Sequence, residues 1–287
     1  MRPFNVTRAF TRLPFVAAAF LMSVCTAVAQ TPPAAPDPIP TAAPLPTEID
    51  LNLINLPTTM SLGSHKGYFR LTHRFARDLR RGSVGSLASD LFSLDNGAII
   101  GLEYRYAITG NLHAGINRSM SNKTIQTFAR WDAVRQGEAR PVSLSVTGSF
   151  EGLNNLHERY QPGIAVTVSR TFGDSLALYA TPGFVAKTRK GDPASAGIAG
   201  DEQDTTFVGL GARVRFNRSG YLVAEYTPRV AGYDPNKSEW GIAIEKRTGG
   251  HTLQLNFTNS FGTTLGQLAQ GGSLHDVYLG FNVTRRF

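Results

Sequence analysis

The chain has 287 residues, 29 of them Lys or Arg against 21 Asp or Glu, for a formal net charge of +8, with 41% apolar residues and one cysteine. No run of about twenty uncharged apolar residues occurs, which excludes a membrane-spanning helix in the mature chain. The basicity is mild and forms no dense Lys/Arg cluster, so no nucleic-acid partner is expected, and a lone Cys25 supports neither a disulfide framework nor a cysteine metal site.

Residues 1–29 read as a secretory signal peptide. Arg2, Arg8 and Arg12 precede an apolar core from Leu13 to Cys25, and Ala27-Val28-Ala29 supplies the small residues of a cleavage site before Gln30. The core is too short to span, which disfavours an anchoring helix, and Val24 is not the small residue a lipoprotein signal needs before its cysteine. Cleavage removes three arginines and Cys25. Residues 30–46 (QTPPAAPDPIPTAAPLP) favour extended polyproline conformation and read as a periplasmic linker. The segment 47–65 is apolar enough to line the mouth of a barrel or enter it, with an ordinary lead-in to the first strand as the expectation.

From Lys66 onward, twelve alternating segments follow, with no helical periodicity longer than two turns. They centre on Tyr68–Phe75, Ala98–Tyr106, Leu112–Arg118, Thr124–Ala133, Val142–Phe150, Gly163–Phe172, Leu176–Phe184, Thr206–Phe216, Tyr221–Val230, Glu239–Lys246, Thr252–Ser260 and Asp276–Phe287. Tight turns are expected at Thr109-Gly110-Asn111, Gly173-Asp174, Asn217 to Gly220 and Thr248-Gly249-Gly250, where Gly and Asn allow positive φ. Most other connections are long and polar: 76–95, 152–160, 187–204, 231–238 and 261–274. Met120 to Lys123 is short where the rhythm calls for a long loop. A short helix at Leu87–Leu94 in the first long loop is expected to cap the barrel rather than fold inward.

Even strand number, with short turns at one end and long loops at the other, is the pattern of an all-β, closed, antiparallel up-and-down transmembrane barrel of twelve strands over residues 66–287, both termini periplasmic. A soluble lipocalin-like barrel has the same period with the faces exchanged. Three features favour the membrane: one face carries Arg, Glu, Asn, Thr and Gly, which suits a hydrated lumen; aromatics, among them Phe69, Phe75, Tyr106, Trp131, Phe172, Phe184, Phe216, Tyr226, Trp240 and Phe287, gather near the ends of the apolar stripes; and twelve strands leave no edge to protect if the sheet closes. In the last strand Leu279, Phe281, Val283 and Phe287 share the apolar face, and Arg285 interrupts it. A C-terminal strand of this kind ending in Phe resembles the closing strand of bacterial outer-membrane barrels, which implies insertion by the barrel-assembly machinery into outer-membrane lipid. The run YFRLTHRFARDLR from Tyr68 and LFSLDNGAIIGLEYRYAITGNLHAGINRS from Leu91 resembles the opening of an uncharacterised outer-membrane β-barrel family whose first strand carries H-R-F. That resemblance implies a barrel and its location, and no catalytic residue.

The inward-facing charges Arg70, Arg74, Glu103, Arg105, Arg130, Asp132, Arg213, Arg215, Glu225 and Glu245 are the candidate pore lining. Rings of such charges set ion preference in a water-filled lumen, where the arginine excess would favour small anionic solutes; alternatively, opposite charges pair across the interior and plug it. The expected function is a non-enzymatic channel or a structural barrel. The rival is an outer-membrane hydrolase, but none of the six histidines is followed by Ser two residues later, so no catalytic residue is assigned. His73 has no second ligand at a recognisable spacing, and no metal or cofactor is expected. Gly209-x-Gly211 lies mid-strand and opens no helix, so it is no dinucleotide loop.

Overall fold

The computed structural model describes residues 47–91, 97–188, 203–233 and 238–287. The expected signal peptide and Pro/Ala linker, part of the expected Leu87–Leu94 helix and the middles of the 187–204 and 231–238 loops lie outside the described residues.

The strands are β1 (Gly67–Phe75), β2 (Ala98–Ala107), β3 (Leu112–Ser119), β4 (Thr124–Val134), β5 (Ser143–Gly152), β6 (Glu158–Phe172), β7 (Leu176–Val185), β8 (Thr205–Arg215), β9 (Gly220–Thr227), β10 (Arg229–Gly232), β11 (Glu239–Thr248), β12 (His251–Thr258) and β13 (Tyr278–Arg286). Each pairs antiparallel with its neighbours, and β1 pairs with β13. β9 and β10 both pair with β8, at Tyr226↔Leu210 and Arg229↔Phe207, and are two pieces of one strand interrupted at Pro228, which has no N–H to donate. The barrel is therefore closed and has twelve strands. The C-terminus completes the seam: Phe287 and Gly67 exchange backbone hydrogen bonds of 3.0 and 2.7 Å.

Strand positions agree with the sequence alternation to within about two residues, except in β6. There the ladder starts at Glu158 and continues through Pro162 opposite Phe150, so the expected 152–160 loop is only the four-residue turn α2 (Leu153–Leu156) and His157. In the first long loop, α1 (Val84–Ser89) is capped by Ser83 Oγ and buries no residue. The loop that does fold inward is the last one. Its helix α3 (Leu265–Gln270) buries Leu265, Gly266, Gln267, Leu268 and Ala269.

The two faces of the sheet meet different media. Leu102, Tyr104, Ile116, Ile164, Leu178, Leu210, Leu222, Ile242, Ile244, Leu253 and Leu255 are all exposed, whereas Arg70, Arg74, Arg130 and Arg213 are at most 1% exposed. A soluble barrel would show the reverse. Aromatic side chains form two outer groups: Phe69, Tyr106, Trp131, Phe172, Phe216 and Phe287 towards the turn end, and Phe150, Phe184, Tyr226 and Trp240 towards the loop end. His73 lies on this outer face, stacked on Phe281 at 4.6 Å and edge-on to Phe75. Arg285, the exception in the last strand, is exposed opposite His251 beside the Gly249-Gly250 turn, where its guanidinium can reach the aqueous interface.

A charge placed in the middle of the outer face should be costly. Ile244→Arg, at a position 55% exposed near the centre of β11, is expected to destabilise the barrel by about 2–4 kcal/mol in urea titrations of protein folded into vesicles. A change below about 1 kcal/mol would be inconsistent with lipid contact at that position.

Candidate functional site

The lumen is filled by the chain's own amino-terminal side. Residues 47–62, read from sequence as a lead-in, form a hairpin that enters at the turn end, reverses at Ile54-Asn55 and returns to β1. Its internal bonds run from Leu53 N–H to Leu56 O (2.8 Å) and from Thr58 N–H to Leu51 O (3.0 Å), with a bridge between Asn52 and Pro57. Ile49, Leu51, Leu53, Ile54 and Leu56 are at most 2% exposed. The physical reason is simple: five large aliphatic side chains within eight residues gain more by burial than by trailing through water.

The wall grips the hairpin mainly by its backbone. Glu225 accepts from three successive N–H groups, Ile54 (3.0 Å), Asn55 (3.0 Å) and Leu56 (3.1 Å). Three successive carbonyls accept in turn: Asn52 O from Arg213 (2.8 Å), Leu53 O from Gln254 (3.0 Å), and Ile54 O from Asn282 (3.2 Å) and Arg70. Side chains add to this. Asn55 bridges Glu239 (2.8 Å) and Arg74 (3.1 Å), Arg105 donates to Asn52 Oδ1 (2.9 Å), and Asp50 accepts from Tyr68 (2.6 Å) and Thr284. Nearer the turn end, Arg130 donates to Met60 O (3.1 Å).

Shape matters as much as polarity. Gly209, Gly211 and Gly241 occupy inward positions, and a Cβ added at any of them would lie closer than 3.0 Å to Leu56, Leu53 or Ile54 respectively. Each glycine is a pit holding one hairpin side chain. The Gly209-x-Gly211 pair thus has a packing role, in a strand where glycine is otherwise unfavourable.

From the loop end α3 meets the hairpin tip. Leu268 packs in one apolar cluster with Leu53, Ile54, Leu56, Ala177, Tyr179, Val223 and Ala243. Leu265 and Ala269 join Ala165, Val185 and Phe207 in another. Gly266 N–H donates to Glu151 (3.0 Å), and Gln267 Nε2 donates to Thr124 Oγ1 (3.2 Å) and Ser121 O (3.3 Å). Among the described residues, one gap between hairpin, α3 and wall has a volume of about 50 Å³ and is lined in part by Asn52, Asn55, Glu103, Arg105 and Gln126. It has room for a few waters.

Nine of the ten sequence-derived charges are buried on the inner wall, and seven of them, Arg70, Arg74, Arg105, Arg130, Arg213, Glu225 and Glu245, either touch the hairpin or, in the case of Glu245, brace Arg213 (2.7 Å). Glu103 pairs with Arg105, and Asp132 with Arg130 (2.9 Å). Arg215 differs. It sits at the turn end paired with Asp174, whose carboxyl that hydrogen bond holds below the ordinary range. Sequence reasoning missed Glu151, Glu239, Gln254 and Asn282, which lie on the inward register of strands already located. With Arg229 and these two further carboxylates included, the buried charges on the strands are six arginines and six carboxylates, so the wall lacks the arginine excess. Among the described residues no cluster of three His, Cys, Asp or Glu is arranged to hold a metal ion.

Solved structures similar to this chain include the KdgM porin (8% identity, 77% of this chain and 99% of that one, TM-score 0.48). A COG4313 outer membrane channel from Pseudomonas putida F1 (13%, 79% and 97%, 0.44) and the outer membrane phospholipase A from Escherichia coli (13%, 77% and 90%, 0.42) are also similar. Neither the identities nor the superpositions reach the level at which a cargo or an activity carries over. No curated protein matches the chain. The family model described as membrane bound beta barrel domain (DUF5777) matches residues 50–287, which takes in the hairpin tip as well as every strand, and the chain belongs to that family.

Proposed function

We propose that the protein is a non-enzymatic outer-membrane channel for small polar solutes, shut at rest by its own hairpin and by α3, with both termini on the periplasmic side. The observation that carries this reading is how the hairpin is held. The sheet closes through β1–β13 and β8–β9 without it, and among the described residues no strand pairing joins the hairpin to the wall. Withdrawal gives up the burial of the hairpin's aliphatic side chains and breaks hydrogen bonds that water can replace, and it leaves the wall ladder complete. The vacated lumen then presents arginines and carboxylates in equal number, so anion preference becomes a question for measurement rather than an expectation.

The hydrolase reading requires a serine beside a histidine on the outer face. Every serine within the strands, at 119, 143, 145, 149 and 169, falls on the inward register, away from the outer His73 and His251.

The test is planar-bilayer recording with lipid hydrolysis followed in parallel. The intact chain should be silent for most of the record. Deletion of residues 48–62 should give stepwise conductance, larger again when 262–272 is also replaced by a short Gly/Ser turn. Silence in all three proteins would refute the channel, and hydrolysis by the intact chain would favour the enzyme.

A further inference from the structure

Occupation of the lumen by a piece of peptide also says what else the lumen is shaped to hold. We propose that the inner wall is a receptor for short apolar peptides, with residues 52–57 as its resident occupant. This goes beyond the channel reading and rests on it, since the site becomes available only when the hairpin withdraws.

Three features point to a peptide rather than another solute. First, the grip on carbonyls 52–54 and amides 54–56 is indifferent to side-chain identity and matches the repeat of a peptide main chain. Second, the glycine pits at 209, 211 and 241 accept aliphatic side chains projecting from that main chain. An oligosaccharide offers hydroxyls without such projections, and a simple anion would satisfy the arginines and leave Glu225 without donors. Third, the site has spare capacity: Arg213 Nη1 and Glu239 Oε2 are buried and have no hydrogen-bond partner.

The experiment uses the full chain with a sequence-specific protease site inserted between the exposed Ser64 and Lys66, folded first and cut afterwards. Release of the amino-terminal fragment is followed in sub-denaturing urea. Binding of a fluorescent synthetic peptide with the sequence of residues 47–62 is then measured by anisotropy. Saturable rebinding is expected, weakened about tenfold or more when the peptide carries Gly in place of Leu53 and Leu56, and unaffected by a linear heptasaccharide. If the fragment leaves but the peptide does not rebind, or the glycine peptide or the sugar competes equally well, the receptor is refuted and the channel stands. If the fragment never leaves, both fall. Because the decisive substitutions are in the peptide, no result depends on a variant barrel folding.

Discussion

Gly211→Leu is expected to expel the hairpin from the lumen while leaving the barrel intact. Leu53 occupies the space that the new side chain would enter, and the wall at this point is β8, held on both sides by complete ladders to β7 and β9. Forcing extra methylenes into a packed interior costs about 1–3 kcal/mol when neighbours can adjust. Here β8 is held by its ladders, so the collision falls on the hairpin, which loses the seat of Leu53 and, on leaving, exchanges its side-chain partners for water. Limited proteolysis reads the outcome. Residues 47–62 should pass from protected to fully cleaved while the strands stay resistant and the protein keeps its folded electrophoretic mobility. Protection unchanged from the parent would mean that the pit is not what seats the hairpin. Gly209→Leu, opposite Leu56, should act the same way.

Glu225→Ala should loosen the hairpin tip more than removal of any other single hydrogen-bonding side chain on the wall. It removes the acceptor for three buried amides at once, each costing about 1–3 kcal/mol if left without a partner. The three losses share one group and will not add fully, so a total of about 3–5 kcal/mol is expected. Hydrogen exchange at the Ile54, Asn55 and Leu56 amides should accelerate about 100-fold or more, with strand amides of β9 and β11 little changed. Glu225→Gln keeps one acceptor oxygen and should fall between parent and alanine. Equal exchange in all three proteins would show that Glu225 does not hold the tip.

Much of the barrel is legible in the sequence because a strand between unlike media must alternate, as Val208, Leu210, Ala212 and Val214 do against Gly209, Gly211 and Arg213. Turn chemistry adds the register: Gly173 and Gly249 both take φ of +57° at the tight turns. The start of β6 is masked in the sequence because Glu158 to Pro162 is polar and contains a proline, both marks of a loop, yet Glu151↔Gln161 and Phe150↔Pro162 continue the ladder. The lumen contents are less legible. Burial of Leu51, Leu53, Ile54 and Leu56 shows as apolarity in 47–65, but apolarity does not say whether a segment docks at a mouth or enters. The clue lay in a correlation between distant positions, three inward glycines on β8 and β11 matching three aliphatic residues in the hairpin. Spacing along one chain does not reveal which glycine faces which leucine. The same limit hid α3, whose six residues are too few to give a helical period.

A removable bond between hairpin and wall tests the closed lumen most directly. In a chain with Cys25→Ala, the pair Leu53→Cys and Gly211→Cys puts two thiols where a leucine methyl now fills a glycine pit. Oxidised protein should form the cross-link and remain silent in a bilayer at every voltage, and reduction of the same molecules should bring conductance steps. Failure of the cross-link to form, or equal conductance before and after reduction, would show that residues 47–62 do not close this barrel.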